Sequence, residues 1–399
     1  MSHIRFSTAG ESHGPALVAV VEGVPAGLKL LAADVDAELA RRQKGYGRGR
    51  RMQIEHDTIE LLSGVRAGET VGSPIAMLVR NKDWKNWSEI MDPAPRPEDV
   101  GDGRKRILTR VRPGHADLSG ILKYDRRDAR DILERASARE TTARVAAGAV
   151  ARRMLAELGI TIGSHVVHLG GIDAAVPDTL PDDLNASADM SPLRTLDAAA
   201  EAQMIARIDE LKKAGNTAGG VAEVVVRGLP VGLGSHVSWD RKLDGRLARA
   251  ILSIPAVKGM EFGAGFQAAR LSGAEVHDEI EPAPGQPRKG NVRRKTNRAG
   301  GLEGGITTGE PLVIRAAMKP ISTLMTPLAT IDAQTGQPAL AAAERSDVTA
   351  VPAMGVIAEA MAALVLADAV AEKFGGDSMG ELRRNFDAYL SDLSARFGG

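Results

Sequence analysis

Gly14–Leu28 reads GPALVAVVEGVPAGL, and Gly219–Leu233 reads GGVAEVVVRGLPVGL. In each, a valine-rich run closes on V-x-G-[V/L]-P-x-G-L. Such β-branched runs favour strands, and the Pro-x-Gly that follows marks a turn. Both stretches lead into D-x-x-L-A-R, at Asp36–Arg41 and Asp244–Arg249. Further on, TVGSPI (Thr70–Ile75) matches TTGEPL (Thr307–Leu312), and Lys82 and Lys319 each lie eight residues past the proline. Three blocks in one order predict an internal duplication. Halves of roughly 1–160 and 210–399 would share one core about a pseudo-two-fold axis. The expectation is one integrated domain over 1–399.

Several helices are legible between the strands. Asp34–Arg42 places Val35 and Leu39 four apart, and Asp240–Ser253 places Leu243, Leu247 and Ile251 on one face. In SARE, Ser137 has the position of an N-cap and Glu140 that of N3, the pattern of a capping box. The helix it predicts runs on to Leu158, with Gly159 as its stop. Asp173–Pro192 and Glu281–Gly300 read as surface loops, and the second carries a basic run, RKGNVRRKTNR, suited to an anion. The most apolar run, Val356–Val370, is interrupted by Glu359 and Asp368. It is too short between charges to span a bilayer and reads as a buried helix.

Composition narrows the function. Aromatics are 3% of the chain, so the core must be aliphatic. The absence of cysteine excludes disulfides, thiolate zinc sites and a cysteine nucleophile, and fits a reducing cytosol. MSHIRFSTAGESHG has no basic-then-apolar secretory pattern, so a cytoplasmic protein without membrane association is expected. Net charge is zero and aromatics number 12 in 399 residues, which argues against a nucleic-acid partner. No metal-ligand spacing stands out, and no G-x-G-x-x-G sits in strand-turn-helix context.

GESHG (Gly10–Gly14) has the spacing of a nucleophile elbow. An elbow needs a helix after the serine, but Pro15 and ALVAVVEGV follow, so the context fails for Ser12. His13, by contrast, sits in a glycine-flanked turn, and His115 sits in another, RPGHAD. Two such histidines beside arginines suit acid-base work near neutral pH. RRQKGYGRGRR (Arg41–Arg51) has six basic residues in eleven, and Arg104–Arg144 holds ten arginines. The glycines in the first group make a flexible anion clamp, and guanidinium forks suit phosphate and carboxylate. Arg135-Ala136-Ser137 reads as a phosphate seat at a helix start. Lys319 with Ser322 and Thr323 could bind another phosphate or a flavin edge, and Asp347 beside Arg345 reads as a local ion pair. The residues alone describe an enzyme for a polyanionic small substrate, with two histidines as proton donors. The competing readings are a serine hydrolase built on Ser12 and an RNA-binding module built on the arginines.

GESHG, RRQKGYGRGRRM, RPGHADLSGILKY, ERASARETTARVAAGAVA, SIPAVKGMEFGAGF, NRAGGLEGGITTGEP, MKPIST and ERSD occur in this order over nearly the whole chain. As a set they resemble the chorismate synthase family. The resemblance implies an α+β fold, a β-α-β sandwich with helices packed between antiparallel sheets, assembled as a homotetramer. It implies 1,4-anti elimination of phosphate from 5-enolpyruvylshikimate 3-phosphate to give chorismate. This is a step of aromatic amino acid biosynthesis that requires reduced FMN (FMNH2) without net redox change. His13 would protonate the departing phosphate, His115 would protonate or stabilise reduced FMN, and Asp347 would be the base acting through flavin N5. Substrate contacts carry over to Ser12, Arg42, Arg48, Arg51 and Arg135. Flavin contacts carry over to Arg135, Ala136, Ser137, Pro255, Ala256, Gly304, Lys319, Pro320, Ile321, Ser322, Thr323 and Arg345, and no metal is implied. Pro255 stands where other members often have Asn or Gln, and Leu31 where many have a threonine N-cap. Some members, mainly fungal, reduce FMN with NADPH (hence NADP among the family's associations). No sequence feature here supports a nicotinamide site, so a separate flavin reductase is expected.

Overall fold

Both valine runs form interior strands of the two main sheets. The structure, a computed structural model, describes residues 3–49, 56–95, 107–342 and 347–396. The chain begins β1 (Arg5–Ala9), β2 (Ala16–Glu22), α1 (Ala32–Gln43), β3 (Ile59–Leu61), β4 (Val65–Arg66), β5 (Glu69–Thr70) and β6 (Ile75–Arg80). Next come α2 (Asp117–Tyr124), α3 (Arg130–Leu133), α4 (Thr141–Ala156), β7 (Thr161–Leu169), β8 (Ile172–Asp173), α5 (Leu184–Ala188) and α6 (Ala198–Lys213). Then follow β9 (Gly220–Arg227), α7 (Leu243–Leu252), β10 (Val257–Phe262), α8 (Gly273–Val276), β11 (Ile280–Pro282) and β12 (Val292–Arg294). The last elements are β13 (Leu302–Glu303), β14 (Ile306–Thr307), β15 (Leu312–Met318), β16 (Ala329–Ile331), β17 (Pro338–Leu340), α9 (Val351–Phe374) and α10 (Met379–Ala395).

Two sheets carry the architecture, one ordered β1-β2-β6-β3 and the other β10-β15-β9-β7-β8, and every pairing in them is antiparallel. The fold is therefore α+β. Helix α4 packs on β1 and β2, α9 packs on β7, β9 and β15, and the two helices pack on each other. Helix α1 joins α4, α9 and β3, while α7 joins α9 and β10. Alternation sets the buried faces: in β2, Leu17, Ala19 and Val21 are buried, and the residues between them are half-exposed.

The same local bonding occurs at both of the similar sequence blocks. Thr70 Oγ1 donates to Pro25 O (2.6 Å) and accepts from Leu28 N (2.9 Å). Thr307 Oγ1 donates to Pro230 O (2.7 Å) and accepts from Leu233 N (2.8 Å). Gly27 N and Gly232 N donate to the carbonyls of the same two threonines, and both glycines have φ in the left-handed region that favours glycine. Val21 pairs with Ile75, and Val226 pairs with Leu312, at matching places in the two sequence blocks.

Helix α9 is buried on nearly every side, which is why its sequence shows no polar stripe. At 24 residues it is long and apolar enough to cross a membrane by length and composition, which corrects the expectation of a run too short to do so. Burial decides the matter instead, because 94% of that apolar window lies inside the protein. The acidic residues that interrupt it are satisfied. Glu359, fully buried, accepts from Arg41, Arg152, Arg194, Ser164 and Asn185. Asp368 accepts from the backbone of His3 and Ile4 and from Arg246.

Other local expectations are corrected. Ser137 Oγ accepts from Arg139 N within a 3-10 turn, Ala138–Glu140, and α4 starts only at Thr141. The capping box does not close, because the buried Glu140 carboxylate takes Arg144 and Thr8 Oγ1 in place of the Ser137 backbone. Helix α4 ends at Ala156, although Gly159 has the positive φ of a stop. Helix α7 begins at Leu243, after a 3-10 turn at Trp239–Arg241. At the start of α1, Leu31 cannot cap, and the Asp34 carboxylate accepts the Leu31 N–H at 2.8 Å. The stretch Glu281–Gly300 contains strand β12, which pairs with β11; Arg288 donates to the carbonyls of Gly228 and Leu158, and four other basic residues meet neighbouring acids. Lys289 meets Glu310, Arg293 meets Glu281, Arg294 meets Glu303 and Lys295 meets Glu279.

Candidate active site

The turn that joins β1 to β2 carries GESHG. Gly10 has φ +100, and a Cβ there would lie 2.3 Å from Ala16 O, so the tight reversal requires glycine. The turn docks on the end of α3. Ser12 N donates to Glu134 O (2.9 Å), His13 N to Glu134 Oε2 (3.0 Å), and His13 Nδ1 lies 2.8 Å from that same oxygen. Arg130 donates to Glu134 Oε1 at 2.8 Å. The His13 ring stacks on Trp87 at 3.7 Å between centroids, and the Arg130 guanidinium lies over the same indole. Burial alone would raise Glu134, but the His13 and Arg130 contacts outweigh it and hold the carboxyl below its ordinary range. Ser12 is buried and β2 follows it, so no elbow forms.

Arg135 comes next in the chain. Its guanidinium donates to Thr8 O, Thr8 Oγ1 and Gly10 O, so it braces the backbone of β1 and the following turn. The expected phosphate seat thus already has three protein acceptors. Arg42 is buried and donates to Thr141 Oγ1 (3.0 Å) and Ala138 O (2.9 Å). Burial, and then repulsion from Arg48, push it down to about 10 despite Asp57. It ties α1 to the 138–141 turn more than it clamps a ligand.

A second group forms where the glycine-rich arm meets the segment before α9. Gly49 N donates to Asp347 Oδ1 (2.6 Å), and Val348 N donates to Gly47 O (2.8 Å). Arg48 Nε lies 3.2 Å from Asp347 Oδ2, a close ion pair without hydrogen-bond alignment, so this buried donor has no acceptor. The expected partner of Asp347, Arg345, lies outside the described residues, as does Arg51.

A third group gathers around His115. Its Nδ1 is 2.6 Å from Asp117 Oδ1, and Asp117 Oδ2 accepts from Arg112 Nε at 2.8 Å. Arg112 also reaches Thr323 Oγ1 (3.1 Å), and Lys319 Nζ donates to Gly114 O (2.8 Å). Burial would raise Asp117, but His115 and Arg112 hold it well below the usual carboxylate range. Lys319 is lowered by burial and by Lys258. Lys319 N donates to Ala256 O, which brings Pro255-Ala256 to the 319–323 segment; Ala256 has φ +67, strained for a residue with a Cβ. Pro320 is exposed, Ile321 and Ser322 are half-buried, and Ile321 O accepts from Thr217 Oγ1.

Connections between the groups are short. Residues 134–141 link His13 to Arg42, with Ala136 and Ser137 between them. Ala218 N donates to Val348 O while its neighbour Thr217 holds Ile321, so the segment just before β9 links Asp347 to the His115 group. Gly304 stands at the β13–β14 turn, which bonds to Leu243 and pairs with Gly234. A cavity of about 890 Å³ touches only Arg135 of the expected residues and lies against β1, α7 and α9. A smaller one of about 620 Å³ is lined by Arg41, Arg152 and Asn185. Neither includes a histidine among its lining residues. Among the described residues no cluster of three or more His, Asp or Glu could hold a metal ion.

Sequence reasoning passed over Glu134, Arg130, Asp117, Arg112 and Trp87. The i, i+4 spacing of Arg130 and Glu134 was a signal, but Glu134 meets His13 across 121 residues. Several arginines that an RNA-binding module would need are paired with acids, Arg126 with Asp131 and Arg144 with Glu140 nearby in the chain, and Arg139 with Asp57 across 82 residues.

Fold and site together define an α+β protein with two carboxylate-held histidines and a buried arginine cluster. The sequence model of the family described as "Chorismate synthase" matches residues 4–371. A chorismate synthase of Geobacter metallireducens is 56% identical over 393 residues, covering 98% of this chain and 99% of that protein. One of Parafrankia sp. is 56% identical over 396 residues, covering 98% and 100%. A solved structure, "Crystal Structure of Chorismate Synthase", aligns with a TM-score of 0.78 at 42% identity over 98% of this chain and 99% of that chain. The chain belongs to the chorismate synthase family.

Proposed function

We propose that this chain is a lyase that eliminates phosphate from 5-enolpyruvylshikimate 3-phosphate to give chorismate, in the shikimate route to aromatic amino acids. The observation that carries the reading is near-complete coverage at 56% identity with curated chorismate synthases. The substrate bears a phosphate and two carboxylates, and a 1,4-elimination needs no nucleophile, which suits arginine-rich surroundings and a buried Ser12 outside any nucleophile elbow. Reduced FMN, when bound, supplies transient electron donation to the substrate. Lys319, Ser322, Thr323 and Arg112 offer cationic and hydroxyl donors, a set that fits an anionic phosphate or reduced ring. Arg48, with its unaligned buried Nε, would meet a substrate anion.

His13 gives a proton to the departing phosphate oxygen. His115 holds a proton beside the flavin segment. Asp347, kept by Gly49 N–H and Arg48, takes up the proton that leaves C6. Arg42 and Arg135 act by holding the backbone around these groups.

The two sheets with α4 and α9 between them support a β-α-β sandwich, and the matched threonine bonds support a duplicated single domain. Homotetramer assembly, a cytoplasmic setting and a separate flavin reductase complete the reading. The test is anaerobic: protein, dithionite-reduced FMN and 5-enolpyruvylshikimate 3-phosphate, with phosphate release and chorismate absorbance followed. Release that requires reduced FMN is expected; no release with reduced flavin demonstrably bound would overturn the assignment.

A further inference from the structure

Glu134 is used at every oxygen it has. Its carbonyl accepts from Ser12 N, Oε2 accepts from His13 N and Nδ1, and Oε1 accepts from Arg130. The carboxylate is buried, with 2% of its side chain exposed. Docking the GESHG turn needs only the two backbone contacts. The contact to Nδ1 does something further, because it constrains the imidazole itself. A carboxylate can only accept, so the atom facing it must carry the proton. The ring is then held in the Nδ1–H tautomer, with its face against Trp87 at 3.7 Å. Arg130 anchors the opposite oxygen, so the carboxylate cannot swing away without breaking an ion pair.

The geometry points to Glu134 as the positioning residue of His13: it fixes Nδ1–H toward itself, so that proton exchange with the substrate runs through Nε2. Nδ1 keeps its proton whether the ring is neutral or protonated. The proton given to the phosphate oxygen is the one on Nε2, and the Nε2–H bond breaks as the O–H bond forms. A glutamine at position 134 could present an amide N–H to Nδ1 and select the opposite tautomer, which would leave Nε2 unable to accept a replacement proton. The assignment rests on the reading that His13 moves a proton.

The test is a double-variant cycle read by kcat and KM in the anaerobic assay, on the full chain with reduced FMN. Glu134→Gln is expected to lower kcat about 10-fold or more with KM little changed. The His13→Ala/Glu134→Gln double variant is expected to be no slower than His13→Ala alone, since groups acting as one unit are non-additive. Glu134→Asp, which keeps the charge but retracts it, should fall between wild type and Glu134→Gln. Should Glu134→Gln fail to fold by circular dichroism, the same cycle is run with Glu134→Asp, whose loss must vanish in the His13→Ala background. A slow His13→Ala with a wild-type rate in the Glu134 variant, or additive losses in the double variant, overturns the positioning role and leaves the His13 reading intact. A wild-type rate in His13→Ala sinks that reading first and the positioning role with it.

Discussion

His13 and His115 are held alike at the residue scale, each through Nδ1 by a buried carboxylate whose other oxygen is anchored by an arginine. The arrangement fixes ring orientation before any ligand arrives. His115→Ala should therefore cost about 100-fold in kcat, the size of lost acid-base assistance. Asp117→Asn should cost about 10-fold or more with little change in KM; a wild-type rate in Asp117→Asn would reduce that carboxylate to a packing role. How far these residues were legible depended on sequence distance. Both histidines stood out because glycine turns flank them. Asp117 lies in the same RPGHAD motif, yet an acid in the first turn of a helix is ordinary without knowledge of what faces it. Glu134 carries no local mark beyond its pairing with Arg130, because its partner is brought from the other side of the fold.

At the element scale, one threonine hydroxyl beside each valine-rich block satisfies a buried carbonyl and a buried N–H together. Thr70→Val and Thr307→Val should each destabilise by about 1–3 kcal/mol, the cost of leaving such groups unpaired. Urea unfolding checks this, and a cost at one threonine without the other would count against equivalent repeats. Helix α9 offers a pH test through Glu359. Burial would raise its carboxyl, but Arg41, Arg152 and Arg194 prevail and hold it far below the ordinary value of 4.5. The folded state then binds fewer protons than the unfolded state, so the contribution is fully present above about pH 4.5 and is lost as pH falls toward the folded value. Glu359→Gln should destabilise at neutral pH by about 3–5 kcal/mol and flatten the fall of melting temperature below pH 5. An acid limb as steep as wild type would mean that other carboxylates set it. The capping-box reading of SARE failed for a related reason. A glutamate at N3 satisfies a backbone N–H only when nothing stronger competes, and Glu140 had Arg144 within reach.

The whole molecule depends on a helix that its sequence leaves ambiguous. Composition cannot distinguish a membrane span from a core helix, and only the packing of α9 on α4, β7, β9 and β15 settles which it is. The similarity of the two valine-rich blocks was legible because each block is local. The layering was not, because it brings residues 351–374 against elements formed before residue 160. This geometry makes a prediction about folding. In a fragment of residues 1–160, α4 would still cover β2, but the face of α4 that meets α9 would be open to water, including Gly148, whose Cα lies against Ala360 so closely that an added Cβ would fall 2.4 Å from the Ala360 Cβ. Exposed apolar surface of that extent favours aggregation over a stable fold. Expressed alone, the fragment should bind a hydrophobic dye and lack a cooperative urea transition. Co-expressed with residues 161–399, it should co-purify and regain that transition, because α9 then closes over α4. Cooperative unfolding of the 1–160 fragment by itself would show that the halves are separate domains, and would remove the shared core from the account of this fold.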